Sequence, residues 1–227
     1  MDKRKELILN TIIKEHIKTG APVGSGVLVE KYNLNISPAT VRNEMATMEE
    51  EGYIIQPHTS AGRIPTEKAY KFHLVNLEEK KLGKIETLGI EDSLAKSGED
   101  GFKEVAKLIS NLTGNAVFWA FHRHNLFYTG ISNLFQQPEF RELEVIYDIS
   151  AIIDRIDEII DIMFEEIDEG VHTMVGSDNP FGDFCGTVIV KYKTDNKIGL
   201  FGVLGPMRMN YEKNIALAEF INSKLRK

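Results

Sequence analysis

Cysteine is nearly missing from this chain of 227 residues: Cys185 stands alone, so no disulfide can close within one copy, and that usage suits the reducing cytosol. Long apolar runs are missing too. No stretch approaches the ~20 residues that a membrane span requires. The N-terminus MDKRKELILN has no apolar core behind its charges, so it does not read as a signal peptide. A cytoplasmic protein without a membrane segment is expected. There is also no nucleophile motif, no Gly-rich phosphate loop and no spaced set of metal ligands. Gly199, Gly202 and Gly205 surround a strand, which is the wrong context for a nucleotide fingerprint. Neither an enzyme nor a cofactor or metal site is expected.

Positive charge is scarce overall, with a net charge of −7, yet the deficit is local. Residues 1–76 carry ten Lys and Arg against nine Asp and Glu, while Glu139–Glu169 alone holds twelve acids and two bases. Whole-chain acidity therefore does not exclude a nucleic-acid partner for the N-terminal part.

What is present there is a run of short, well-punctuated helices. Leu9, Ile12, Ile13 and Ile17 repeat at helical spacing up to Gly20, which leaves Lys14, Glu15 and Lys18 to solvent. Ser25 is a natural N-cap for a second helix with Val27, Leu28 and Tyr32. A turn follows in which Asn33 or Asn35 takes a left-handed conformation. Ser37 and Pro38 restart a helix, one as cap and one at the first helical position. Val41, Met45 and Met48 form its inward stripe, leaving Thr40, Arg42, Asn43 and Thr47 on other faces.

Helix, turn, capped helix is the helix-turn-helix arrangement, whose second member reads bases with its N-terminal residues. Spacing alone also fits a helix in a bundle that never meets DNA. Beyond Gly52, Tyr53–Gln56 has strand composition. Pro57-His58-Thr59-Ser60-Ala61-Gly62-Arg63 then makes a hydroxyl-rich loop with one projecting guanidinium, closed by Ile64-Pro65 and by Thr66 as a helix cap. Such a loop suits phosphate contacts or insertion of Arg63 into a narrow minor groove. It reads as a wing.

Arg42 and Asn43 are the candidates for base edges, because Arg suits guanine and Asn adenine in the major groove; Thr40 ranks behind them. Thr59, Ser60 and Arg63 are the candidates for phosphate or minor groove, and Ser25, Ser37 and Pro38 complete the DNA-binding set. His58 is either a buried structural histidine beside Pro57 or a further contact. His122 and His124 read as exposed turn residues rather than a metal pair, and Cys185 as a small core residue.

The rest of the chain is read as a linker over 77–101, polar and broken by Gly83, Gly89, Gly98 and Gly101 with at most a weak helix, and as an α+β domain over 102–227. In the latter, a helix runs from Phe102 to Gly114, and strands occupy Ala116–Phe121 and Leu126–Ile131 around the turn His122–Asn125. Glu139–Glu169 forms one helix or two with a break near Asp148–Ser150. Thr187–Tyr192 and Ile198–Leu204 make a hairpin around Asp195-Asn196. A last helix is capped by Asn210 and turns Leu217, Phe220, Ile221 and Leu225 inward. The sheet should be mostly antiparallel.

PVGS followed by SPATVRNEMATMEEEGYIIQPHTSAGRIPT resembles the N-terminal winged-helix domain of HrcA, the bacterial heat-inducible transcription repressor family. TGISNLFQQPEF (Thr129–Phe140) and LGPMRMNYEKNIAL (Leu204–Leu217) resemble its C-terminal part. The resemblance implies a winged-helix DNA-binding domain over 1–76 and a GAF-like domain over 102–227. It further implies an inverted-repeat operator in double-stranded DNA upstream of chaperone genes, and a chaperonin that keeps the repressor active. Family members carry a dimerisation subdomain inserted in the GAF-like domain; here the loop where it is expected is only His122–Asn125, so the sheet is reduced. A palindromic site needs two copies, so a homodimer is expected, built from the second domain or the Ile149–Ile167 stripe. The alternative is a ligand-sensing regulator whose GAF-like domain binds a small molecule. A third reading is an interaction module that has lost DNA binding.

Overall fold

Three short helices open the chain because each is bounded by a residue that stops it. In the computed structural model, α1 (Lys3–Thr19) begins where the Asp2 carboxylate accepts the amides of Arg4 and Lys5 at 2.9 Å, and it ends at Gly20 in the left-handed region, φ 65°. Next, α2 (Ser25–Tyr32) ends at Asn33, also left-handed at φ 49°. Then α3 (Pro38–Glu50) starts with Ser37 Oγ accepting the Thr40 amide at 3.1 Å and Pro38 at the first helical position. Strands β1 (Ile54–Ile55) and β2 (Ile64–Pro65) pair antiparallel, and α4 (Glu67–Val75) follows. All residues are described except Glu79, Ser97, Arg123, His124, Arg141, Glu142, Asp195, Asn196 and Lys227, and the chain divides into two units, Met1–Leu77 and Glu78–Lys227.

The first unit is a winged helix. Its core takes Ile8, Leu9, Ile12 and Ile13 from α1, Leu28 from α2, Val41, Met45 and Met48 from α3, with Ile54 and Tyr70 closing it. Three expectations change here. Ser25 is the first residue of α2 and not its cap; Gly24 holds the cap position, with no side chain to fill it. Glu15 is buried rather than exposed, because Lys31 Nζ and Tyr32 Oη donate to its two oxygens at 2.7 and 2.8 Å. Thr66 stands at the cap position of α4, but its hydroxyl donates to the carbonyls of Gly52 and Tyr53 instead of capping.

The second unit is an antiparallel sheet covered by helices on both faces. The elements are α5 (Lys84–Leu94), α6 (Glu99–Thr113), β3 (Ala116–His122), β4 (Asn125–Thr129), α7 (Ile131–Gln136), α8 (Leu143–Asp154), α9 (Ile156–Glu166), β5 (Gly170–Val175), β6 (Cys185–Thr194), β7 (Lys197–Pro206) and α10 (Tyr211–Leu225). The strand order is β4-β3-β7-β6-β5. Period-two alternation divides the strand side chains. Phe118, Ile189, Leu200 and Leu204 pack with Ile149 of α8, with Ile156, Ile159 and Met163 of α9, and with Phe140 and Phe181. On the opposite face Trp119 meets Phe201 of β7 and Phe102 of α6, ring centroids 4.8 Å apart in each case, and its Nε1 donates to Tyr192 Oη at 2.7 Å.

Several sequence boundaries shift. The presumed linker contains α5, which packs against α6 within the second unit, because its apolar Ile90 is fully buried despite the polar surroundings. Ile131 begins α7 instead of ending β4, and β5 falls in a stretch that gave no strand signal. The acidic segment breaks at Arg155, not near Asp148–Ser150, and keeps its apolar stripe in phase across that break. The expected turns at Arg123–His124 and Asp195–Asn196 lie outside the described residues, as does His124 of the histidine pair.

Glu15 gives the first unit a pH dependence. Its bond from Lys31 holds the carboxyl below the usual carboxylate range, against burial, which acts to raise it, and the Tyr32 hydroxyl adds to the lowering. A carboxylate with a depressed folded value stabilises the fold above its unfolded value, near 4.5, and that contribution fades as pH falls through the folded one. Glu15→Gln should lower the thermal midpoint of the full chain at neutral pH and shrink its decline in acid, followed by circular dichroism.

Candidate nucleic-acid interface

The outer face of α3 carries Ala39, Arg42, Asn43 and Ala46, all exposed and spaced at i, i+3, i+4 and i+7. Beneath them Val41, Met45 and Met48 are 0–4% exposed, so the helix is clamped on one side and open on the other. Arg42 and Asn43 thus stand together as expected, flanked by two alanines small enough to let a helix settle closely into a groove. Thr40 is differently placed. Its hydroxyl lies 2.9 Å from Ser37 Oγ and shares in the cap, which commits Ser37 and Thr40 to the helix start. Pro38 is exposed beside them.

The wing is held by contacts that the sequence did not announce. Gln56 Nε2 donates to the carbonyls of Thr59 and Ala61 at 3.0 and 2.9 Å, which ties the turn together from inside. Glu49 at the end of α3 accepts the Gln56 amide at 2.9 Å through one oxygen and Arg63 Nε at 2.8 Å through the other. The guanidinium of Arg63 therefore does not project freely: it leans on α3 with its side chain only 18% exposed, keeping its terminal amino groups for other acceptors. Gln56 and Glu49 were absent from the sequence-level candidates, since each serves the wing through a partner several residues away. A paired amide and carboxylate give no periodic signal.

The base of the wing is joined to the α1–α2 connection. Val23 and Arg63 exchange both backbone hydrogen bonds, at 2.8 and 2.9 Å, in an isolated antiparallel bridge. Gly62 permits this approach, because a Cβ there would stand 2.4 Å from the carbonyl carbon and oxygen of Val23. His58 is exposed, which removes the buried-histidine reading, and its Nδ1 lies 3.4 Å from Ser60 Oγ.

Between α3, the wing and the start of α2 lies an open cleft of about 420 Å³. Gly24, Ser25, Arg42, Thr59, Ser60 and Arg63 are among its lining residues, with two guanidiniums and no carboxylate. Six sequence-level candidates therefore have a place here: Ser25, Arg42, Thr59, Ser60 and Arg63 in the cleft, and Asn43 beside Arg42 on the exposed face of α3. Ser37, Pro38 and Thr40 stay at the helix start, and His58 is exposed on the wing without lining the cleft.

In the second unit, among the described residues, no group of three or more His, Cys, Asp or Glu is arranged to hold a metal ion, and no helix is long and apolar enough to cross a membrane. Cys185 is buried, and burial pushes its thiol well above the usual range, with Asp183 adding to the shift.

Comparison with known proteins reaches across both units. The family described as HrcA protein C terminal domain matches residues 66–215. The chain is similar to the heat-inducible transcription repressor HrcA of Carboxydothermus hydrogenoformans, with 28% identity over 339 residues, covering 99% of this chain and 97% of that protein. Because that alignment is much longer than the 227 residues present, the relative carries a long segment without a counterpart here. The HrcA of Acidothermus cellulolyticus is 45% identical over 116 residues, covering 50% of this chain and 34% of that protein. A crystal structure described as that of a hypothetical protein has the same fold, with a TM-score of 0.81 at 19% identity over 99% of this chain and 97% of the other.

Gly62→Ala should separate the wing from the α1–α2 connection. Hydrogen exchange at the Val23 and Arg63 amides should accelerate by about tenfold or more, the equivalent of ~1.4 kcal/mol of local stability, while the amides of β6 and β7 stay as protected as before.

Proposed function

From the premise that this chain belongs to the HrcA family of heat-inducible transcription repressors, we propose that it represses by laying α3 into the major groove of an operator. The observation that carries this reading is the pairing of exposed Arg42 and Asn43 above the buried Val41, Met45 and Met48. Arg42 matches the acceptors of guanine and Asn43 the donor and acceptor of adenine. Thr59, Ser60 and the remaining amino groups of Arg63 meet backbone phosphates or the minor groove, and Ser25 faces the same duplex from the cleft.

An inverted-repeat operator upstream of chaperone genes follows from the family. It requires two copies of α3, so the repressor acts as a homodimer in the cytoplasm. A chaperonin acts as the co-repressor that links operator occupancy to heat. The reading of the second unit as a small-molecule sensor has less support. The face of the sheet beneath α8 and α9 is packed by apolar side chains, with Phe118 and Phe181 5.4 Å apart and Phe140 and Phe184 5.7 Å apart, leaving an open cleft of about 290 Å³ lined by Ile152, Ile159 and Phe184 with Asp148 and Arg155.

Gel shifts on the chain's own upstream regions test the proposal. Arg42→Ala should relax selectivity at one base position at a cost of ~1–3 kcal/mol, whereas Arg63→Ala should weaken all sequences alike and make the salt dependence shallower by about one charge. Equal binding by wild type and Arg42→Ala across a randomised pool would exclude base reading by α3. Light scattering on the complex should find two protomers per operator, and a monomer both free and bound would refute the dimer.

A further inference from the structure

The start of α2 differs chemically from the start of α3. Ser37 fills the N-terminus of α3 with its own hydroxyl. At α2 the cap is Gly24, which offers no side chain, so the amides of Ser25, Gly26 and Val27 precede the first intrahelical bond, from the Leu28 amide to the Gly24 carbonyl at 3.3 Å. Those amides and the helix dipole favour an anion. A bare helix end alone would prove little, but Ser25 adds an independent sign. It is 7% exposed, it lines the cleft, and its hydroxyl has no hydrogen-bond partner in the protein among the described contacts. The residue is more than nine-tenths buried, yet its hydroxyl has no internal partner and is open to a cleft lined by Arg42 and the Glu49-paired Arg63 with no carboxylate among the lining residues, which sets it to meet an acceptor from outside.

We propose that this cleft is the seat of one DNA backbone phosphate, held by the α2 N-terminal amides and Ser25 Oγ from one side and by Arg42 or Arg63 from the other. The inference rests on the DNA-binding reading above and deepens it: the phosphate seat fixes how far α3 slides along the groove, so Arg42 and Asn43 meet one base step and not its neighbour. The α2 amides, and not only the wing, anchor the domain.

Gly24 offers a direct test, because a side chain there meets nothing within 4 Å and its backbone, φ −88° and ψ 152°, is ordinary for a cap. Gly24→Asp supplies an internal carboxylate to the same amides. It should hold or raise the thermal midpoint of the full chain, since Asp is a better cap than Gly. Yet it should weaken binding to a mixed-sequence duplex by about tenfold or more and make the salt dependence shallower by about one phosphate. Ser25→Ala, which removes a hydroxyl without an internal partner, should leave the midpoint unchanged and weaken binding by about three- to tenfold.

Wild type that binds the duplex while both variants bind within twofold of it overturns the seat. Wild type that shows no salt-sensitive duplex binding at all overturns the DNA reading instead. Inorganic phosphate, compared with chloride at matched ionic strength, should displace the duplex no better. If inorganic phosphate raises the midpoint of wild type but not of Gly24→Asp, and duplex binding by Gly24→Asp is intact, the seat serves a free anion and the assignment to DNA is wrong.

Discussion

Two backbone hydrogen bonds between Val23 and Arg63 hold the functional end of this protein together. They join the connection between α1 and α2 to the base of the wing, and they exist because residue 62 has no Cβ to keep the strands apart. Once that bridge is made, Glu49 can reach both the Gln56 amide and Arg63, and Gln56 can gather the carbonyls of the turn. Wing, α3 and the α2 N-terminus then enclose one cleft. A small β-structure of only two short strands would be marginal by itself; here it borrows rigidity from the helices on either side.

The charge arrangement follows the division into two units. The winged helix is nearly neutral overall, and four of its carboxylates are held by internal partners: Glu15 by Lys31 and Tyr32, Glu44 by Arg4, Glu49 by Arg63, and Glu51 by Lys5. Arg42 is thereby left exposed on a face without acids at its first two turns. The acidic excess lies in α8 and α9 of the second unit, whose inner faces are apolar and pack on the sheet. Lys191 caps that arrangement, donating to the carbonyls of Phe164 and Ile167 at the end of α9. Whole-chain pI is thus a poor guide to the partner.

Legibility from sequence varied with the range of the interaction. The cap at Ser37, the glycine stop at Gly20, the left-handed Asn33 and the Val41–Met45–Met48 stripe all depend on residues within one or two turns, and each could be read locally. The β6–β7 hairpin announced itself by alternation. Less visible were α5, hidden in a glycine-broken polar stretch, and β5, an edge strand whose alternation is weak because most of its side chains are half-exposed. Glu15 was misplaced for a related reason: helical spacing put it on the polar face, while its burial depends on Lys31 and Tyr32 from another helix.

The sequence by itself determined the helix-turn-helix, the wing string and the apolar faces, and from them the candidate residues for a DNA contact, because helix periodicity, capping and turn chemistry are short-range. Only the tertiary structure decided which of those residues converge. It set Arg63 against Glu49 and brought the uncapped start of α2 and the Ser25 hydroxyl beside Arg42. Those relations depend on side chains far apart in the chain finding one another through the Val23–Arg63 bridge, and no local pattern encodes a distance between separate elements.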